Sequence, residues 1–342
     1  MTRSSRPSWS ITQALIGLTL ILLASLLLAA QLGALSLGPW QALTGQMSAQ
    51  DWQLWSAIRL PRLALALLVG ASLALAGAAM QGLFRNPLAD PGLLGVSSGA
   101  GFAVGLWILL PWTEWLPEVW QWQGQMIMAC LGGWLTCWLI FRLGRGGQAS
   151  MLWLLLAGLA INTLAGAASG LLSYLADDQQ LRQMSLWGMG GLGFVSGTEL
   201  LFGLLLILPG LALLLSVRRD LDVLQLGDQA AANSGLNTHA LRRKVVLGTA
   251  LAVGGSVALA GIIGFLGLMV PHLLRMIFGP GHRLLLPAAA LGGASLLLVA
   301  DALARTLAAP AEIPVGLLTS LLGGPYFLWM LARGRQASQE RI

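Results

Sequence analysis

Residues 69–77 read Val69-Gly70-Ala71-Ser72-Leu73-Ala74-Leu75-Ala76-Gly77, and residues 253–261 read Val253-Gly254-Gly255-Ser256-Val257-Ala258-Leu259-Ala260-Gly261. Each stretch lies in an apolar run long enough to cross a membrane. Small residues at this density let helix backbones approach closely, which is how helices pack where lipid replaces water. The charge map developed below sends the first copy inward and the second outward. Two similar segments of opposite direction are the signature of an inverted-topology repeat.

Working outward from these copies, ten apolar runs are legible, roughly at 11–31, 63–84, 93–110, 125–141, 151–174, 200–214, 245–266, 268–278, 284–303 and 315–331. A transmembrane helix needs about 20 apolar residues, and most of the runs approach that. The eighth is too short to cross alone and contains Pro271. A broken helix of this kind is tolerated only inside protein, so we read it as a half-span. The first run follows Arg3 and Arg6 and superficially resembles a signal peptide, but it is long for one and nine further runs follow, so it reads as a retained span. The fold class expected is an all-α polytopic membrane protein with about ten transmembrane helices and an inverted internal repeat, forming one domain over 1–342.

Composition agrees. The chain is 342 residues long, 56% hydrophobic and 9% charged, whereas soluble domains carry about 25% charged residues. Its net charge of +6 comes from short loops and not from a basic patch on a soluble fold, so nucleic acid is excluded as a partner. With both termini placed in the cytoplasm, fifteen basic residues fall on that side: Arg3, Arg6, Arg85, Arg142, Arg145, Arg218, Arg219, Arg242, Arg243, Lys244, Arg275, Arg283, Arg333, Arg335 and Arg341. Insertion bias accounts for them. It does not account for Arg59, Arg62, Arg182 and Arg305, which fall outside. Trp40, Trp52, Trp55, Trp107, Trp112, Trp115, Trp120 and Trp122 cluster in or beside the first two external loops, as interfacial tryptophans do. Cys130 and Cys137 share one predicted span, about 10 Å apart along a helix, too far for a disulfide; they read as packing or lipid-facing residues.

Two absences narrow the function. The only lysine, Lys244, follows Arg242-Arg243, and no G-x-x-x-x-G-K-[ST] loop exists, so the chain cannot hydrolyse ATP by that mechanism. No acidic residue is placed deep in a predicted span, with Glu199 and Asp301 near external ends. Ion-coupled carriers usually place ionisable groups near the midplane. A permease driven by a separate engine is the better reading. No nucleophile motif or metal-ligand cluster is visible.

After the second span the chain reads Arg85-Asn86-Pro87-Leu88-Ala89-Asp90-Pro91-Gly92, a tight turn by its Asn-Pro and Asp-Pro-Gly signals. This turn, together with Arg59-Leu60-Pro61-Arg62, Val270-Pro271-His272-Leu273-Leu274-Arg275 and Glu312-Ile313-Pro314-Val315-Gly316, resembles the permease subunits of binding-protein-dependent ABC importers. The specific family carries iron–siderophore complexes, haem and cobalamin, and the resemblance covers nearly the whole chain.

That resemblance implies a single permease domain in the bacterial inner membrane. It implies a homodimer around a central pathway, set in membrane lipid, with two cytoplasmic ATP-binding cassette subunits and one periplasmic substrate-binding protein. No cofactor is expected on this chain; ATP and Mg belong to the ATPase. Arg59, Arg62 and Arg305 match positions that hold acidic knobs of the binding protein, with a surface pairing to Asp301 or Glu312 as the plainer alternative. Arg182, after Asp177 and Asp178, reads as a local pair. The loop Leu226-Gly227-Asp228-Gln229-Ala230-Ala231-Ala232-Asn233-Ser234-Gly235 resembles the family's coupling helices, so Leu226, Gly227, Asp228, Ala231 and Gly235 are expected to dock on the ATPase. Asn162, Ser169, Ser173 and Tyr174 of the fifth span, with Met184, Trp187 and Met189 just after it, are the expected pathway and gate residues. Asn86, Pro87, Pro91, Gly92, Pro271, His272 and Arg275 are read as structural turn residues. Residues 173–178 and 187–190 look more like haem permeases than cobalamin ones, which makes an iron chelate the expected cargo, haem ahead of a ferric siderophore. A cobalamin permease, an ion-coupled secondary carrier and a structural scaffold are the competing readings.

Overall fold

The structure is a computed structural model that describes residues 10–33, 38–111, 115–143, 151–193, 195 and 197–339. Arg3, Arg6, Trp112, Arg145 and Arg341 lie outside the described residues, as do the side chains of Arg333 and Arg335. The described secondary structure is helical: α1 (Ile11–Gln31), α2 (Pro39–Leu43), α3 (Ala49–Leu54), α4 (Leu60–Phe84), α5 (Val96–Leu109), α6 (Glu118–Leu143), α7 (Met151–Leu175), α8 (Asp178–Gly188), α9 (Gly197–Ser216), α10 (Arg218–Leu224), α11 (Asp228–Asn233), α12 (Thr238–Ala260), α13 (Leu266–Phe278), α14 (His282–Leu307) and α15 (Val315–Gln339). Each of the ten apolar runs falls on one of these helices, namely α1, α4, α5, α6, α7, α9, α12, α13, α14 and α15.

The helices form an inner and an outer set. Across their most apolar windows, the helices Ala49–Phe84, Thr238–Ala260 and His282–Leu307 are 78%, 78% and 67% buried, against 17%, 17% and 22% for Ile11–Gln31, Leu156–Leu175 and Gly197–Ser216. The inner helices carry the glycine- and alanine-rich repeat. A Cβ on Gly70 would strike the Gly293 carbonyl of α14, and one on Gly293 would strike the Gly70 carbonyl in return. Only two glycines facing each other permit that approach. The outer helices turn large side chains such as Ile16, Leu164 and Leu205 outward, as lipid-facing helices do.

The structure changes the sequence reading in three places. The second span does not begin after an external loop at Arg59–Arg62. A π-helical turn, Trp55–Arg59, joins α3 to α4 directly. Pro61 follows that wide turn and has no N–H to continue an ordinary ladder, so the helix passes through it with altered pitch. The seventh span ends at Ala260, short of the expected 266. Gly261 takes φ 66° and Phe265 takes φ 64°, and the non-helical stretch between them separates α12 from α13. The second repeat copy therefore breaks at Gly261 where the first continues helically through Gly77.

The third change concerns Pro271, His272 and Arg275, which lie within α13 and not at a turn. Pro271 cannot donate to the carbonyl four residues earlier, that of Gly267. The side chain of Gln81 on α4 donates to that oxygen instead, at 3.3 Å. A proline inside a buried half-span is thus tolerated because a neighbouring helix satisfies the released carbonyl. Gly77 of α4 packs against the same Gly267 carbonyl, which is why α4 stays glycine at that level.

Candidate functional site

At the start of α4 and the end of α14, Arg59 and Arg62 meet Arg305, which lies far away in sequence. Arg62 places Nε and Nη2 on Asp301 at 3.0 and 2.9 Å and Nη1 on both Glu312 oxygens at 3.0 and 2.8 Å. Asp301 also accepts from Arg305 Nε at 3.0 Å, one helical turn away on α14. Arg305 also donates to the carbonyls of Leu32 and Ala29, and Arg59 donates to that of Ala30, so both close the open end of α1. Both guanidinium groups crowd Gly33.

This geometry revises the expectation of outward-facing arginines. Arg62 is 8% exposed, Arg305 7% and Asp301 1%. Arg59 is half-buried, and the Glu312 side chain is half-exposed. Desolvated charges of this kind persist only with good geometry and full hydrogen bonding, and removing one partner strands the other. Asp301 is the fixed counter-ion of the cluster. Glu312, at its rim, is the more exposed of the two carboxylates on Arg62.

The opposite end of α4 carries a second cluster. Arg85 closes the helix in a left-handed conformation at φ 49°, with Asn86 N–H reaching back to the Gln81 carbonyl. The turn forms as expected. Asn86 Oδ1 accepts from Leu88 N–H, and Asp90 Oδ1 accepts from Gly92 N–H at 2.6 Å, opening a short 3-10 helix at Pro91. The Arg85 side chain reaches Asp228 at 2.8 Å, and Arg242 approaches the other Asp228 oxygen at 3.5 Å. Gln225 donates to the Gly82 carbonyl at 2.9 Å, and Asp222 accepts from both the backbone and the ring of His282. The segment 226–235 is therefore a clamped element. Gly227 and Gly235, at φ 108° and 84°, bracket α11, with Ala231 buried and Leu226 74% exposed.

The expected gate residues do not share one site. Asn162 donates to the Gly92 carbonyl at 3.1 Å, and Ser173 bonds back to Ser169 within its own helix. Met184 packs against Gly105, while Tyr174 is 85% and Met189 37% exposed. Trp187 alone of the set lines a cavity of about 450 Å³ between α6, α8, the end of α12 and residues 312–315. Arg182 lines it too. No pair to Asp177 or Asp178 forms among the described residues; Asp177 caps α8 by accepting from Gln180 N–H. Sequence reasoning missed Gln81, Gln125, Asp222 and this cavity. The pairing with Asp301 and Glu312, the plainer alternative from the sequence, does form, at Arg62 and Arg305, but with both arginines buried and not at the surface.

Matched against known families, residues 10–333 fit the FecCD transport family. The chain belongs to the FecCD transport family. Among relatives of this FecCD chain, the hemin transport system permease protein of Yersinia pestis is 53% identical over 94% of this chain and 96% of its own. The vitamin B12 import system permease protein of Klebsiella pneumoniae is 42% identical, over 94% of each chain. Its Vibrio vulnificus counterpart is 39% identical over 96% of each. A solved structure described as an inward-facing conformation of a metal-chelate type ABC transporter superposes with a TM-score of 0.83 at 34% identity, covering 94% of this chain and 99% of that one. FecCD-family membership makes the ten-helix reading that of an ABC importer permease in a bacterial membrane.

Proposed function

We propose that this chain is the permease subunit of an importer that carries haem from the periplasm to the cytoplasm. The observation that carries the choice of cargo is the 53% identity to a hemin permease across nearly the full chain, against 42% for a vitamin B12 permease of equal coverage. A cobalamin or ferric siderophore cargo is the second reading, supported by those same B12 relatives.

In this reading the protein sits in the inner membrane with both termini in the cytoplasm, as the distribution of basic residues favours. One permease domain is repeated in a homodimer, set in membrane lipid. The large exposed side chains of α7, among them Leu164, Leu171 and Tyr174, supply a face for the second copy and the pathway. The chain itself catalyses nothing and holds no cofactor; ATP and Mg bind two separate cassette subunits. Their movement enters through α11 and the exposed Leu226. A periplasmic binding protein docks at the arginine cluster, its carboxylate exchanging with Glu312 on Arg62.

One rigid element joins the two ends. Arg59 and Arg85 are separated by 26 residues of nearly continuous helix, about 39 Å at 1.5 Å per residue. A largely buried helix moves as a body, so docking at one end and clamping at the other act on the same rod.

A strain unable to import haem, given this chain with its ATPase and binding protein, tests the cargo. Growth with haem as the only iron source is expected. Growth restored only by a ferric siderophore, or cobalamin uptake without haem use, overturns it.

A further inference from the structure

The cavity behind α8 meets the docking cluster at Arg62 and Glu312, but its α6 and α8 walls serve neither the docking nor the coupling reading. We propose that it is a binding site for a flat apolar molecule bearing a carboxylate, the chemistry of a tetrapyrrole with propionate side chains.

Two observations point to a ligand independently. Gln125 lines the cavity from α6 and is 6% exposed, yet its amide makes no hydrogen bond among the described residues. Buried amides are ordinarily paired, so this one is available to a polar atom in the cavity. Arg182 stands on the α8 wall beside Gln179 and Gln183, with no ion pair among the described residues. The other charges on the wall are engaged within the chain: Arg62 holds Glu312, and Glu199 has bonding of its own. Arg182 is thus the cation that an incoming carboxylate meets, and a guanidinium takes a carboxylate through two parallel bonds.

The remaining wall suits a flat apolar body. Trp122, Met126, Leu186 and Trp187 face the space, and indole rings favour stacked or edge contacts with another ring system. A volume of about 450 Å³ lies within the range of small-molecule sites. The cavity also abuts a hinge. Gly190, with φ 69°, follows α8, and its carbonyl accepts from Gly316 at the start of α15. A seated ligand therefore bears on the junction of α8, α12 and α15.

The identity of the ligand rests on the haem reading, whereas the site rests on Gln125 and Arg182. The complex of this chain with its ATPase, in nanodiscs, is titrated with haemin, and retained haemin is counted by absorbance against empty nanodiscs. Saturable binding at one haemin per chain is expected. Arg182→Gln should weaken it about tenfold, the loss of one charge-assisted contact. Arg182→Lys should stay within about threefold, since the charge persists. Gln125→Leu supplies a second weakened variant, with an unchanged size-exclusion profile of the complex as the check on assembly. Haemin dimethyl ester should bind wild type no better than haemin binds Arg182→Gln. Binding that ignores both substitutions overturns the site. Displacement by equimolar oleate overturns the tetrapyrrole assignment and makes the ligand a lipid carboxylate. Normal ATP-driven haem uptake with variant-independent binding removes this inference alone; absent haem uptake with saturable, Arg182-dependent binding removes only the transport reading.

Discussion

Arg62 and Asp301 are 239 positions apart in sequence, yet Nε and Nη2 of the arginine both lie on the aspartate, at 3.0 and 2.9 Å, in a pocket where Asp301 is 1% exposed. The pair fixes the start of α4 to the end of α14. Its neighbours Arg305 and Arg59 tie the same point to the last carbonyls of α1. If the proposed docking takes place here, the surface is held in place by these bonds before any partner arrives.

Replacing Asp301 by Ala strands two buried guanidinium groups. Breaking one partner of a buried network typically costs about 3–5 kcal/mol. The detergent-solubilised complex should therefore unfold at a clearly lower temperature, with Asp301→Asn intermediate because an amide oxygen still accepts. An unchanged Tm in the alanine variant would show that the network does not hold the three helices.

In the proposed docking, Glu312 competes with the partner's carboxylate for Arg62. Glu312→Gln should thus raise the affinity of the binding protein for the complex several-fold, through a slower off-rate measured by surface plasmon resonance. Arg59→Glu should abolish stimulation of the ATPase by the binding protein while assembly persists. Stimulation of normal size in Arg59→Glu counts against docking at this cluster.

At the other end, Arg85→Ala removes the clasp on Asp228. Both side chains are substantially exposed, 38% and 50%, so the stability change should stay within about 1 kcal/mol. The ratio of substrate moved to ATP hydrolysed is what should fall. A stable variant with full coupling would detach α11 from the proposed transmission.

The two repeat copies carry glycines in contrasting surroundings. Gly77→Ala drives a methyl group into the Gly267 carbonyl, whereas Gly254 has nothing within 4 Å of its missing Cβ. Overpacking costs about 1–3 kcal/mol, so Gly77→Ala should lower expression and Tm while Gly254→Ala is tolerated. Equal effects would mean that the close α4–α13 approach is not structural.

The order of the apolar helices was legible because apolar run length reports directly on the bilayer; among the described residues six helices are long and apolar enough to cross it. The half-span at Pro271 was legible for the same reason. Its surroundings were not: that Gln81 would satisfy the Gly267 carbonyl depends on a contact between residues 186 apart, which no local pattern encodes. The arginines stood out as exceptions to the charge bias, but their burial did not, since Glu312 and Asp301 reach them only through the fold. The gate set scattered because small polar residues in a helix, such as Ser173, bond to their own backbone as readily as they line a pathway.

The most direct test is uptake of labelled haem, a ferric siderophore and cobalamin by proteoliposomes containing this chain, its ATPase and its binding protein, with and without ATP. Haem uptake that requires ATP and the binding protein is the predicted result. Uptake that persists without ATP and collapses with the proton gradient would contradict it and make the chain a carrier in its own right.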